Sequence, residues 1–432
     1  MCLPSRCLAL SAVILLALGG LGRLLTLRGV VVPVRVAGGS MAETLCGAHF
    51  VLRCDDCGFP CRYDADFPPT GGRGVICPNC GFANRQIERA VRWRGDRVLI
   101  DRLAYAMGGP QRWDVVAFHS PGRADALAVK RIVGLPGDRI SIRGGDVYAN
   151  DTILRKSLAQ LRSMAILVHD SAYRPRSRGG LPRRWQPASV TSGWRFRGGT
   201  ATFEPSAAGA KGLDWLVYHH WRCVPGPYAR SAEYPVLDNY GYNQQMSRQL
   251  KQVTDLMLAC RMRSTWDGGA VAFSICDGRD RFCMELIPEH NQGRLYRNDE
   301  LLEAVELPPA GYGREVKIEL ALCDRQVLFA INSLALIERA YRPTPGSTPA
   351  SSQPIAIGAA GMSVVIGRAQ VLRDVYYLAP NRTRWDWTAP RSLKPDEYFV
   401  LGDNAPRSED SRHWPEPALR RKLLIGKVLR FR

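Results

Sequence analysis

Residues 129–138 read Val129-Lys130-Arg131-Ile132-Val133-Gly134-Leu135-Pro136-Gly137-Asp138. A short apolar run closed by Gly and Pro reads as a strand ending in a turn. Within it Lys130 has apolar neighbours, which is an unusual place for an amine. Such a lysine either snorkels to water or is buried, and burial lowers its pKa towards working pH. Similar runs flank it: Arg97-Val98-Leu99-Ile100-Asp101, Asp114-Val115-Val116-Ala117-Phe118 and Asp138-Arg139-Ile140-Ser141-Ile142. Residues 96–150 therefore read as a β-rich barrel or sheet, and residues 396–432 return to the same style.

The 432 residues suggest two to four domains. The apolar fraction of 46% and charged fraction of 23% exclude a wholly disordered chain, a collagen and a multi-span transporter. Net charge is +19, nearly all from arginine, since only eight lysines occur. No Lys/Arg block runs five residues. The charge is read as a bias towards arginine on a solvated surface, and no nucleic-acid partner is expected.

Cys7 to Gly22 is uncharged and rich in Leu, Ala, Val and Ile. Extended to Leu27 it reaches the ~20 residues needed to span a bilayer. A cleaved signal peptide is the rival reading. No clear small-x-small site follows, so a retained anchor over residues 1–28 is preferred. Arg23, Arg28 and Arg35 outnumber Arg6, which by the positive-inside rule would put the C-terminal side in the cytoplasm.

Cys54-Asp-Asp-Cys57-Gly58 and Cys77-Pro-Asn-Cys80-Gly81 are separated by 19 residues. Each CxxCG can form a tight knuckle because glycine lets the backbone turn. Four thiolates at this spacing suit structural zinc, so residues 54–84 read as a zinc ribbon; a pair of disulfides is the alternative. Cys223, Cys260, Cys276, Cys283 and Cys323 are either buried thiols or disulfides, and spacing does not decide.

Two further segments carry groups that complement Lys130. One is Gly38-Gly39-Ser40-Met41-Ala42-Glu43-Thr44-Leu45. The other is Gly402-Asp403-Asn404-Ala405-Pro406-Arg407-Ser408-Glu409-Asp410-Ser411-Arg412. Singly, each reads as an ordinary loop. A serine hydroxyl, however, is a poor nucleophile until a neighbouring base takes its proton. A desolvated Lys130 is such a base, and Ser40 is the candidate nucleophile. The expectation is that Ser408 hydrogen-bonds the amine and positions it. Asp410 and Arg412 would form a charge pair fixing the Ser408 loop, and the Ser40 N–H would donate to an oxyanion.

Together these segments resemble type I signal peptidases, the membrane-anchored Ser–Lys proteases of the S26 type. Asp96–Arg102, Arg112–Phe118 and Gly145–Asn150 fit the same pattern, and the resemblance covers residues 30–53, 93–151 and 396–430. It implies a mainly β catalytic core in three parts (29–53, 85–151 and 395–432) behind the membrane anchor. It implies a single-pass protein of the cytoplasmic membrane with its catalytic domain on the extracytoplasmic side, against the arginine count. It also implies the roles given above for Ser40, Lys130, Ser408, Asp410 and Arg412, with Met41 beside the nucleophile at the substrate. The substrates would be exported precursors cut after small residues, and catalysis would need no cofactor. Glu43 departs from the pattern, which has proline there, and Gly38 stands where some members carry serine.

Residues 152–394 are an insertion. Their short strands, such as Gly269–Asp277 and Glu315–Asp324, have the rhythm of an antiparallel concanavalin-like (laminin-G-like) sandwich. Residues 152–165 read as a short helix. Trp215, Tyr218 and Trp221 are more readily core than a sugar platform, and His219-His220 more readily structural than metal ligands. Asp238, Asn239, Tyr240 and Asn243 form a polar loop. The competing function is a membrane-anchored protein binding a carbohydrate or envelope partner on a catalytically altered scaffold. The intact Ser40, Lys130, Ser408, Asp410 and Arg412 set argues against it.

Overall fold

Alternation of apolar and polar side chains decides the first layer. In Arg97–Asp101, Val98 and Ile100 turn to one face and are buried there with Ala117 of Val115–Ser120, while Val116 and Phe118 are buried on the other face. These strands join a seven-stranded sheet in the computed structural model. Its spatial order is Val31–Arg35, Arg97–Asp101, Leu424–Arg430, Val115–Ser120, Arg123–Gly134, Glu397–Leu401 and Leu419–Arg420. The first and last segments of the chain thus close one sheet, and the Lys130 strand lies between its neighbours Val115–Ser120 and Glu397–Leu401. A four-stranded sheet, Thr152–Ile153, Asp146–Ala149, Ile140–Arg143 and Trp387–Thr388, completes the unit.

The residues described are Gly20, 29–69, 74–176, 183–197, 200–205, 212–223, 232–265, 268–309, 313–346, 348–378 and 386–430. The expected anchor over residues 1–28 lies outside them, Gly20 apart. Among the described residues no helix is long and apolar enough to cross a membrane.

One boundary differs from expectation. The strand His49–Arg53, assigned to the catalytic core from sequence, pairs instead with Pro60–Asp64 and Val91–Trp93. The second CxxC pair sits on the small hairpin of Val75–Ile76 and Ala83–Asn84. The residues expected to form one helix over 152–165 divide between the strand Thr152–Ile153 and the helix Leu158–Met164. The helix starts where it does because Ser157 accepts from the Gln160 amide while the Gln160 side chain accepts from the Ser157 amide.

Two sheets face each other in the insertion. One includes Val364–Arg373, Leu256–Ser264, Val316–Cys323 and Gln326–Ile331; the other includes Asp214–Tyr218, Ile355–Ala360, Ala270–Cys276 and Arg281–Ile287. Leu258, Ile318 and Phe329 of the first meet Phe273, Met284 and Ile357 of the second in one dry core. Tyr218 and Trp221 are core, as expected, whereas Trp215 is only half-buried. Cys223, Cys260, Cys276, Cys283 and Cys323 are free thiols.

The sandwich and the seven-stranded sheet are joined by a buried charge cluster. Lys156 Nζ lies 2.7 Å from Asp324 Oδ1 and 2.9 Å from Asp374 Oδ2, and it sits 4.8 Å from the ring centroid of Trp113, just ahead of the strand Val115–Ser120. Burial disfavours the charged amine, but these carboxylates overcome it and hold its pKa well above the usual lysine value. Lys156→Met would leave the carboxylates buried and unpaired. It should cost about 3–5 kcal/mol, read as a lower midpoint in urea denaturation.

Candidate active site

Ser40 lies on the 3-10 turn Gly39–Met41, and Lys130 lies on Arg123–Gly134 opposite Val116. The fold brings the two together: Lys130 Nζ donates to Ser40 Oγ at 2.5 Å. Lys130 is only 5% exposed. Burial is the main force on its amine and outweighs the attraction of Asp410, and the pKa is lowered to about 8. The apolar run read from sequence thus produces a desolvated amine.

The third segment wraps the pair. Arg412 Nε and Nη2 donate to Asp410 Oδ1 and Oδ2 at 2.9 and 2.8 Å, as expected. Burial raises the Asp410 carboxyl, but the Arg412 charge prevails and holds it below the usual carboxylate range. The Gly402 N–H also donates to Asp410 Oδ2, at 3.0 Å. A Cβ at position 402 would stand 2.2 Å from Ser408 Oγ and 2.5 Å from the Ser40 carbonyl oxygen, so only glycine fits this crossing.

Two expected contacts differ. Ser408 Oγ is buried, and the expected bond to Lys130 is not formed among the described residues; its hydroxyl helps to lower the Asp410 pKa. The hydroxyl lies instead over Gly402, within the loop that backs Ser40. Met41, expected at the substrate, is 1% exposed and packs with Val36, Leu45, Val98 and Ala117. It anchors the nucleophile turn from beneath.

Several supporting residues carried no separate sequence signal. Arg131 turns to the opposite face from Lys130 and forks onto Asp403, with Nε–Oδ1 at 2.8 Å and Nη2–Oδ2 at 2.6 Å. The Asn404 N–H donates to the Ser40 carbonyl at 3.0 Å, and Asn404 Nδ2 donates to the Gly39 carbonyl at 2.9 Å. Asn404 in turn exchanges amide hydrogen bonds with Asn243 at 2.7 and 2.9 Å.

The polar loop of the insertion therefore reaches the catalytic turn. The Tyr240 hydroxyl donates to the Asp403 carbonyl, and the Tyr242 hydroxyl donates to the Ala48 carbonyl. The Tyr242 N–H donates to Glu43 Oε1 at 3.3 Å. This explains the departure at position 43: the carboxylate holds the inserted loop. Burial raises the Glu43 pKa, against the opposing pull of Arg373. His219 and His220 form no metal cluster among the described residues. His219 pairs with Glu233, while Arg184 and the Tyr218 hydroxyl hold His220.

Cys54, Cys57, Cys77 and Cys80 converge, their sulfurs within 4.8 Å of one another. Cys54–Cys80 and Cys57–Cys77 sulfurs are 3.6 Å apart, and none of the four is in a disulfide. In the two knuckles, Gly58 N–H donates to the Cys54 carbonyl and Gly81 N–H to the Cys77 carbonyl, both at 2.8 Å. Gly58 and Gly81 have φ of +75° and +76°. The sulfur spacing fits a tetrahedral ion with ~2.3 Å metal–sulfur bonds.

Two segments match a known family. Residues 89–183 and 363–431 fit the model for signal peptidases of the peptidase S26 family. Signal peptidase I of Bacillus caldolyticus is 38% identical over 56 residues, covering 13% of this chain and 30% of that protein. The probable signal peptidase I-2 of Synechocystis is 36% identical over 67 residues, covering 14% and 29%. The chain thus spans about 30% of the length of these curated relatives. The family match contains Lys130, Ser408, Asp410 and Arg412; Ser40 lies ahead of it, joined by the Lys130 contact. A carbohydrate-binding module, CBM66 of Bacillus subtilis, aligns with 44% of this chain and 94% of its own at 8% identity and a TM-score of 0.29, a likeness that assigns no ligand.

Gly402→Ala forces the Ser408 loop and the Ser40 backbone apart. The expected cost is about 1–3 kcal/mol, measured by chemical denaturation.

Proposed function

We propose that this chain is a Ser–Lys endopeptidase of the signal peptidase kind, cutting exported precursors after small residues. The Lys130–Ser40 contact carries the reading. A serine and a lysine at hydrogen-bond distance, with the amine desolvated, are the two groups acyl transfer needs. Neutral Lys130 Nζ takes the Ser40 Oγ proton as Oγ attacks the scissile carbonyl carbon. The resulting ammonium returns that proton to the leaving amine. Water, deprotonated by Lys130, then cleaves the Ser40 ester and regenerates the hydroxyl. Asn404 holds the Ser40 backbone in register, and Asp410 with Arg412 fixes the loop behind it.

Ser40→Ala and Lys130→Ala should each abolish cleavage of a precursor bearing an Ala-x-Ala site, assayed with the full chain in detergent. Cleavage retained by either variant would overturn the reading. The pH profile is a second test. Lys130 must be neutral to act, and its pKa is lowered to about 8. Single-turnover kcat/KM should therefore rise about tenfold per pH unit below 8 and level off above it. A rise continuing past pH 10 would place the base elsewhere.

Structural zinc belongs to this reading. Cys54, Cys57, Cys77 and Cys80 would hold the ion in a closed tetrahedral site, where it would tie the two knuckles together. Metal analysis should find one zinc per chain, and Cys54→Ser should lose it together with several degrees of thermal midpoint. The proposal also includes a single-pass anchor over residues 1–28 with the catalytic unit on the extracytoplasmic side. Protease added outside intact cells should then reach the catalytic unit.

A further inference from the structure

Where the second knuckle meets the sandwich, a cavity of about 290 Å³ opens between the two sheets. Leu216 and Ile357 of one sheet, and Ala201, Ile366 and Phe196 of the other, make its walls apolar. Among the described residues, two polar atoms in this lining have no hydrogen-bond partner: His169 Nδ1 and Trp185 Nε1. Both residues are only 5% exposed, so each atom has given up water and gained nothing in return.

The charge around the cavity is one-sided. Arg174, Arg183 and Arg184 line it, and among the described residues no aspartate or glutamate does. Arg184 is buried, and its partners among the described residues are the Tyr218 hydroxyl, His220 Nδ1, the Trp221 carbonyl and Cys223 Sγ, none of them a carboxylate. Arg183 lies over the Phe196 ring at 5.1 Å. Among the described residues, Arg174 and Arg183 make no ion pair. Burial and the nearby Arg183 charge both depress the Arg174 pKa. Ordered water could satisfy the two nitrogens, and bulk water reaches the exposed Arg174 and Arg183, but the buried Arg184 has no carboxylate beside it among the described residues, so the cavity and its mouth favour an anion.

We propose that this cavity binds a small organic acid. Its apolar body lies between the sheets beside Leu216, Ile357 and Ile366. Its carboxylate lies at the mouth, paired with Arg174 and Arg183 and accepting from Trp185 Nε1. The walls explain why the body is apolar, the arginines why the head is anionic, and the orphaned indole N–H why the head has an oxygen acceptor. Ser40 and Lys130 take no part, so the test below is independent of the peptidase reading.

The test uses the full chain in lipid nanodiscs and three probes: 3-phenylpropionate, its neutral counterpart 3-phenylpropanol, and inorganic phosphate. Titration calorimetry should show the acid binding about tenfold more tightly than the alcohol, as expected for a hydrogen-bonded charge. The exposed pair Arg174→Gln/Arg183→Gln should weaken the acid about tenfold and leave the alcohol unchanged. Trp185→Phe keeps the ring and removes the donor, and should weaken the acid several-fold. No binding of the acid, equal binding of acid and alcohol, or wild-type affinity in both variants would overturn the proposal. Phosphate binding as tightly as the acid would also overturn it, since the apolar walls would then have no part.

Discussion

An amine held in a dry place against a hydroxyl is the constraint around which this molecule is arranged. Lys130 Nζ can sit 2.5 Å from Ser40 Oγ only if strand and turn are both fixed to a fraction of an ångström. No single segment does this. Met41 seats the turn in the core, and Asn404 grips its two carbonyls. Gly402 allows the third segment to press against it, and the Arg412–Asp410 fork stiffens that segment. On the reverse of the lysine strand, Arg131 and Asp403 repeat the same device, a fully buried bidentate pair.

Much of this was legible in the sequence. The alternation around Val98, Ile100, Val116 and Phe118 gave the strands, and the apolar setting of Lys130 gave its desolvation. The CxxCG spacing anticipated the knuckles, and the Asp410–Arg412 spacing anticipated their pair. These are local facts, carried by periods of two and by short loops.

What was not legible depends on contacts between distant residues. The role of Glu43 rests on the amide of Tyr242, in an insertion that begins a hundred residues later. A charge at a position where the resembling family has proline is uninterpretable until that amide is seen. The resemblance implied Met41 at the substrate, yet a 3-10 turn sends adjacent side chains in different directions, and this one enters the core. Ser408 was expected to reach the amine, but its hydroxyl packs over Gly402, where a Cβ would collide with it. The strand His49–Arg53 was assigned to the core with residues 30–53, which the resemblance covers; pairing, which sequence order does not fix, put it with Pro60–Asp64 and Val91–Trp93.

The Asn243–Asn404 amide exchange has a consequence for how the molecule comes into being. The turn bearing Ser40 is made early in synthesis, but the groups that hold it come from residues 240–243 and 402–404. In a growing chain these contacts to the Ser40 turn form only after residue 404 has emerged and the sandwich has closed around its own core. The accessory domain thereby acts as a clock on the Ser40 turn, which takes its final shape only late in the making of the chain.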